Sequence, residues 1–255
     1  MSVPIAQVVR SGFVEGKHYG SAVVVDASGK VIWSIGDVNS QIFPRSSNKL
    51  MQGLAMVRAG LPAKGELLAL SCASHSAEDF HLSGVHSLLN AAGLDVDALR
   101  CPPDWPLDPV QKDSVLAEGL EKEAIFMNCS GKHAAMLFTC VLNSWDTATY
   151  LDKDHPLQQA CKKVIEEVTG EPIQQGVPGL LAKDGAEGVY AIGLGDGRAL
   201  ALKIDDGADR ARIVVANTIL KNVLGVVASE VDRQISSQVL LGAGKPVGQV
   251  EALIA

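Results

Sequence analysis

Ser46 and Lys49 are one helical turn apart in residues 44–50, and this spacing could build a nucleophile. A serine hydroxyl holds its proton at neutral pH and is therefore a poor nucleophile. A lysine three residues later lies on the same helix face and can accept that proton when its amine is uncharged. The alternative is an ordinary serine cap on an amphipathic helix. The pair therefore indicates a Ser-Lys acylase only if other residues complete the site.

Two further elements follow the order found in Ser-x-x-Lys enzymes such as penicillin-binding proteins and class A β-lactamases. Ser74 comes just after the apolar run at residues 67–70, where a side chain could point into a cleft. Lys183 belongs to a Lys-x-Gly element before a predicted strand, in which the glycine would let substrate approach. The alternatives are a turn hydroxyl for Ser74 and an exposed edge-strand lysine for Lys183. Together the three elements favour a serine acylase.

The elements that must position these residues are strands near both ends of the chain and helices between them. The β-branched run 21–25 and the segment 30–35, joined by a short polar loop, predict one hairpin. Residues 189–192 and 199–204, joined by a turn, predict a second, and two further strand-like pieces follow near the end. These two pieces are residues 238–240 and 247–250.

The helical region begins at the Ser-x-x-Lys pair. Leu50, Leu54, Val57 and Leu61 recur at helical spacing and predict a helix that ends near Gly60. Three more helices are predicted: residues 132–142, a helix that Pro156 opens and that runs to about Val168, and a long helix marked by Ile213, Ile219, Leu220, Val223 and Val227.

This order predicts an α+β fold whose antiparallel sheet is built from both chain ends, with a helical region inserted in the middle. We expect one catalytic unit over residues 1–255. Its sheet part covers about residues 5–45 and 180–255, and its helical part covers about residues 46–179.

Composition restricts the function. The chain has 255 residues, 47% of them hydrophobic, which suits a globular enzyme. A net charge of −7 argues against nucleic acid or an anionic membrane surface as the main partner. No apolar run is long enough to predict a transmembrane helix, and the first residues do not read as a signal peptide. Five scattered cysteines without a Cys-x-x-Cys pair predict a reduced, cytoplasmic protein.

Five motifs spread over nearly the whole chain resemble those of one family. They are Pro44-Arg45-Ser46-x-x-Lys49, Cys72-Ala73-Ser74-His75-Ser76-Ala77-Glu78, Asn128-Cys129-Ser130-Gly131-Lys132-His133-Ala134, Asp154-His155-Pro156 and Ala182-Lys183-Asp184-Gly185-Ala186-Glu187-Gly188. The family is the rhizobial-type L-asparaginase II family, whose members are Ser/Lys amidohydrolases on a serine β-lactamase- and glutaminase-like fold. The resemblance implies that fold here, and it implies hydrolysis of L-asparagine to L-aspartate and ammonia.

By this resemblance, Ser46 with Lys49 and Ser74 with Lys183 form two catalytic tandems that share one amide substrate. One serine attacks the side-chain carbonyl of asparagine, and water then hydrolyses the acyl-enzyme. Spacing does not decide which serine attacks, and we favour Ser46. The candidates for binding substrate are Arg45, His75 and His133.

The family also binds zinc near the site through two cysteines and a lysine, and Cys129 and Lys132 match two of these ligands. The family's Asp-Gly-Cys segment, which carries the second cysteine, is missing between about Thr169 and Lys183. Cys161 lies in a predicted amphipathic helix and does not obviously replace it. Two ligands do not make a four-coordinate zinc site. We therefore expect zinc to be weak or absent and no cofactor to be required.

The missing segment leaves two alternatives to a full asparaginase. One is a non-catalytic relic that binds an amino acid or another protein. The other is a Ser-x-x-Lys acylase of different specificity, such as a β-lactam or peptide hydrolase. The expected partner is the small molecule L-asparagine, and the resemblance allows a homodimer.

Overall fold

The computed structural model describes residues 1–170 and 187–254. Contacts within the chain define two compact units, one of Met1–Ser47 and Gly185–Ala255, the other of Asn48–Asp184. The predicted α+β architecture, with an antiparallel sheet from both chain ends and a central helical region, is confirmed.

The strands and helices of the described residues follow in chain order. The first part contains β1 (Val3–Arg10), β2 (Phe13–Val25), β3 (Val31–Ile35), a 3-10 helix (Arg45–Asn48), α1 (Lys49–Arg58), α2 (Gly65–Ser71) and α3 (Asp79–Ala91). A 3-10 helix (Val96–Ala98), α4 (Pro109–Ala117), α5 (Ser130–Leu142) and α6 (Pro156–Thr169) come next. The last part contains β4 (Val189–Gly193), β5 (Ala199–Ile204), α7 (Asp209–Asn222), α8 (Ser229–Ile235), β6 (Val239–Gly242) and β7 (Lys245–Ala252).

The sheet of the first unit has the strand order β4-β5-β2-β1-β7-β6, and β3 also pairs with β2. All pairs are antiparallel. The first half of the long strand β2 pairs with β1, and its second half pairs with β3 and β5. The two predicted hairpins are confirmed as β2–β3 and β4–β5. Both chain ends therefore contribute neighbouring strands, since β1 pairs with β7.

Helix α7 covers one face of this sheet. Alternate residues of β5, namely Leu200, Leu202 and Ile204, are buried in the same core cluster as Val215 and Ile219 of α7. This alternation is typical of a strand with one face on the core.

The prediction that the long helix extends to Val227 was wrong at the C-terminal boundary. Helix α7 ends at Asn222, and Gly225 adopts a left-handed φ of +69°. Val226 N–H then donates to Leu220 O, which turns the chain back, and Val227 is exposed. A left-handed residue is incompatible with a continuing α-helix, and glycine adopts it at little cost.

Helix α5 is the centre of the second unit. Every residue from Ser130 to Cys140 is buried, so helices surround it on all sides. Helix α6 begins at Pro156 as predicted, with His155 Nδ1 accepting the Leu157 N–H, and it ends before Gly170. In the described ranges, no helix is long and apolar enough to span a membrane.

The predicted helix after Ser46 is confirmed as α1, but its buried face is not the apolar one. Lys49, Gln52 and Met56 are buried, whereas Leu50 and Leu54 are exposed. Contacts with α5 and α6 and the hydrogen bonds of Lys49 orient this helix, so its hydrophobic pattern does not predict which side is inside.

We predict that Gly131→Ala destabilises the protein more than Gly84→Ala. A methyl group at Gly131 would lie 2.5 Å from Leu70 Cγ and 3.1 Å from the Leu70 carbonyl oxygen, so α2 would have to move. At Gly84 the methyl group would lie 2.7 Å from the rotatable Leu70 Cδ2 and at an ordinary contact distance of 3.6 Å from Leu67 Cδ2. We expect Gly131→Ala to lower the free energy of unfolding in urea by about 1–3 kcal/mol. Equal effects of the two changes would contradict this packing.

Candidate active site

Lys49 is the buried centre of a polar cluster. It is the first residue of α1 and 1% exposed. Its Nζ lies 2.7 Å from Ser74 Oγ, 2.9 Å from Cys129 Sγ and 3.3 Å from the Ala73 carbonyl oxygen. Ser74 itself is exposed. An accessible hydroxyl therefore rests against an amine that water barely reaches.

The acceptors around Lys49 suit proton exchange with Ser74. An uncharged amine has two N–H groups and one lone pair, whereas an ammonium has three N–H groups. The Ala73 carbonyl can take one N–H and Cys129 Sγ the other, since the thiol donates its own hydrogen to Asn128 Oδ1 at 2.8 Å. The third direction faces the Ser74 hydroxyl. Lys49 can thus accept a proton there and give it back.

The segment after α2 is held in place through His75. Its backbone N–H donates to Asn128 O at 2.9 Å, and its Nε2 lies 2.9 Å from Ser130 Oγ. Ser130 gives its own hydrogen to Ile125 O, so Nε2 must donate, while Nδ1 accepts the Ala77 N–H. These bonds require the neutral imidazole with its hydrogen on Nε2. They fix Ser74 against the start of α5.

The surroundings of His75 also favour its neutral form. Burial lowers the pKa of His75 to about 4, and the nearby His81 acts in the same direction. Ala77, two residues on, has a φ of +60°, a left-handed conformation that is costly for any residue but glycine. Such strain is common next to functional groups.

Ser46 and Arg45, two further predicted site residues, belong to the segment just before α1. Ser46 is half-buried in the 3-10 helix before α1. Arg45 has a φ of +50°, and its guanidinium lies 6.0 Å from the centre of the Phe43 ring. Lys183 lies outside the described residues, so its predicted pairing with Ser74 stays a prediction. The contact that the structure does provide joins Ser74 to Lys49.

His133, the fourth residue of α5, is buried and contacts Tyr150. The Tyr150 hydroxyl accepts the Arg100 backbone N–H at 3.1 Å and lies 2.7 Å from His133 Nδ1. The Tyr150 hydroxyl and His133 Nδ1 therefore share one hydrogen bond. Burial raises the pKa of Tyr150, so this hydroxyl keeps its hydrogen. His133 is therefore oriented by its neighbours.

The described neighbours of the two predicted zinc ligands differ. Cys129 contacts Lys49 and Asn128, whereas the fully buried Lys132 lies near the thiol of Cys161. Burial raises the pKa of Cys161 to about 12, and the charge of Lys132 only partly opposes this, so the Cys161 thiol keeps its hydrogen in the metal-free protein. Within residues 1–170 and 187–254, no three His, Cys, Asp or Glu side chains are grouped to hold a metal. These donors do not fit a four-coordinate zinc site.

Two features of the site were missed by the sequence analysis. One is the carbonyl of Ala73, which no residue type could reveal because any residue supplies it. The other is Asn128, whose backbone and side chain bind His75 and Cys129. Its presence in the most specific motif was a signal for it.

Comparison with known protein families gives a match over most of the chain. The family model described as L-asparaginase II matches residues 6–179 and 173–252. The two matched segments overlap at residues 173–179. No match was found among curated proteins.

We predict that His75 makes stability fall in mild acid. Because the pKa of His75 is about 4 in the folded protein and about 6.5 when unfolded, only the unfolded chain gains this proton between those values. The contribution of neutral His75 to the free energy of unfolding is therefore complete above pH 6.5. As the pH falls to 4, this free energy decreases by roughly 3 kcal/mol, at about 1.4 kcal/mol per pKa unit.

The measurement is urea unfolding at several pH values for the wild type, His75→Gln and His86→Gln. The wild type and His86→Gln, which changes an exposed histidine, should lose stability in parallel, and His75→Gln should lose less. Parallel loss in all three proteins would show that His75 is not held neutral.

Proposed function

The chain belongs to the L-asparaginase II family, and we propose that it hydrolyses the side-chain amide of L-asparagine to L-aspartate and ammonia. The observation that carries this proposal is the 2.7 Å contact between the buried Lys49 amine and the exposed Ser74 hydroxyl. A serine activated by a neighbouring base is the requirement for covalent acyl transfer.

In the proposed reaction, Ser74 Oγ attacks the amide carbon as its proton passes to uncharged Lys49. Lys49 then gives that proton to the departing nitrogen, so ammonia leaves and an aspartyl ester remains on Ser74. A water molecule next gives a proton to Lys49 and attacks the ester. Aspartate leaves as Ser74 regains its hydrogen from Lys49, and the enzyme returns to its starting state.

The contact supports Ser74 as the attacking group, although the Ser-x-x-Lys spacing favours Ser46. Ser46 is therefore the alternative that the experiment must separate. Lys183 remains the proposed second lysine and Arg45 the proposed contact for a substrate carboxylate. The hydrogen bonds of His75 support a role in holding the Ser74 segment in preference to substrate binding. His133 remains a proposed neighbour of the substrate.

The remaining parts of the proposal follow from the family and the composition. We propose the serine β-lactamase- and glutaminase-like fold, a cytoplasmic location, a reaction that needs no zinc, and L-asparagine as the small-molecule partner. Five cysteines that form no disulfide support a reducing compartment. A homodimer is the proposed assembly if the chain associates.

We predict that Ser74→Ala and Lys49→Met each lower kcat for L-asparagine by roughly a thousandfold or more, because each change removes one half of the proton-transfer pair. Ammonia release, measured with L-asparagine and with L-glutamine, reports the activity. Ser76→Ala is the matched control, since Ser76 lies two residues away and bonds to Glu78. It should keep near wild-type kcat.

Three outcomes would contradict the proposal in different ways. A severe loss of kcat in Ser46→Ala together with a mild loss in Ser74→Ala would identify Ser46 as the nucleophile. Asparagine-dependent thermal stabilisation of a wild type without turnover would identify a binding relic. Labelling of Ser46 or Ser74 by a fluorescent penicillin, without ammonia release, would identify an acylase of another specificity.

A further inference from the structure

We propose that Cys129 is a positioning residue, whose thiol accepts one N–H of Lys49 and so directs the lysine lone pair at Ser74. This inference rests on the proposed function, because it gives the lysine of that reaction its orientation. It assigns to Cys129 a role that differs from the zinc ligation implied by the family resemblance.

The Cys129 thiol has a hydrogen-bond partner for its sulfur and another for its hydrogen. Cys129 Sγ lies 2.9 Å from Lys49 Nζ, and its S–H donates to Asn128 Oδ1 at 2.8 Å. With its hydrogen committed to Asn128, the sulfur presents lone pairs to the amine. Cys129 is fully buried and is the N-cap residue of α5, and its backbone N–H contacts Met127 Sδ at 3.1 Å. The backbone that carries the sulfur is thereby fixed.

This geometry conflicts with a zinc ion on the same sulfur. Zinc binds the thiolate, which has no hydrogen to donate to Asn128 Oδ1. A metal on Sγ would also have to share that atom with an amine 2.9 Å away. The other four cysteines are Cys72, Cys101, Cys140 and Cys161, and no cluster with a third ligand lies in the described parts of the chain. The donor set favours a thiol that binds Lys49.

The orientation of Lys49 matters because its side chain has four rotatable bonds. A lysine can transfer the Ser74 proton only when its lone pair faces the hydroxyl, and a displacement of about 1 Å can cost a hundredfold in rate. Among the described contacts that can accept an amine hydrogen of Lys49, Cys129 Sγ at 2.9 Å is closer than the Ala73 carbonyl oxygen at 3.3 Å. The closer contact, to Cys129, therefore defines the direction of the amine.

The kinetic test compares Cys129→Ala, Cys129→Ser and Cys140→Ala. Cys129→Ala should lower kcat by roughly ten- to a hundredfold with KM changed by less than about twofold. Cys129→Ser should recover most of that loss, since a hydroxyl can accept from Lys49 and donate to Asn128. Cys140→Ala removes an equally buried thiol at the other end of α5 and should keep the wild-type kcat. A wild-type kcat in Cys129→Ala, or no recovery in Cys129→Ser, would overturn the inference.

A second measurement does not depend on turnover. Urea unfolding of the wild type, Lys49→Met, Cys129→Ala and the double variant forms a double-mutant cycle. If the two side chains interact, the effects on the unfolding constant depart from simple multiplication by more than about threefold. A multiplicative cycle would overturn this inference alone. A wild type without ammonia release but with a coupled cycle would overturn the proposed function and leave the contact intact.

Discussion

A lysine amine with almost no access to water is the constraint on which this site depends. A buried amine costs several kcal/mol unless protein atoms replace the water that it loses. Lys49 has such atoms close by, in the Ser74 hydroxyl, the Ala73 carbonyl and the Cys129 thiol. The contacts that stabilise the buried amine are therefore the same contacts that join it to a nucleophile.

Three segments distant in sequence must meet for this to happen. α1 carries Lys49, the segment after α2 carries Ser74, and the start of α5 carries Cys129. His75 links the second and third segments through Asn128 and Ser130. Because α5 is buried over Ser130–Cys140, the start of this helix is a rigid support for those hydrogen bonds. Rigid support of this kind is what a site for proton transfer requires.

Local patterns in the sequence predicted most of the elements. The hairpins β2–β3 and β4–β5 were predictable because β-branched runs and tight turns have distinct residue preferences. Helix α6 was predictable because Pro156 fixes its start. The left-handed turn at Gly225 was missed because the apolar spacing continues past it, and spacing alone does not register a change of backbone direction.

The residues of the site were predictable, but their partners were not. The motifs identified Lys49, Ser74 and Cys129 one by one. Their meeting is tertiary, and the burial of Lys49 in place of Leu50 reverses the face that hydrophobicity indicates for α1. The hydrogen bond from Lys49 to Cys129 was likewise unpredictable, since a cysteine in that motif resembles a metal ligand and only its neighbours decide between the two roles.

The most direct measurement of the central claim is peptide mapping by mass spectrometry of protein quenched in acid during turnover of L-asparagine. If Lys49 activates Ser74, an aspartyl ester is found on the peptide that contains Ser74, and it is absent in Lys49→Met. An ester on the peptide that contains Ser46, or rapid hydrolysis without any ester, would contradict the account.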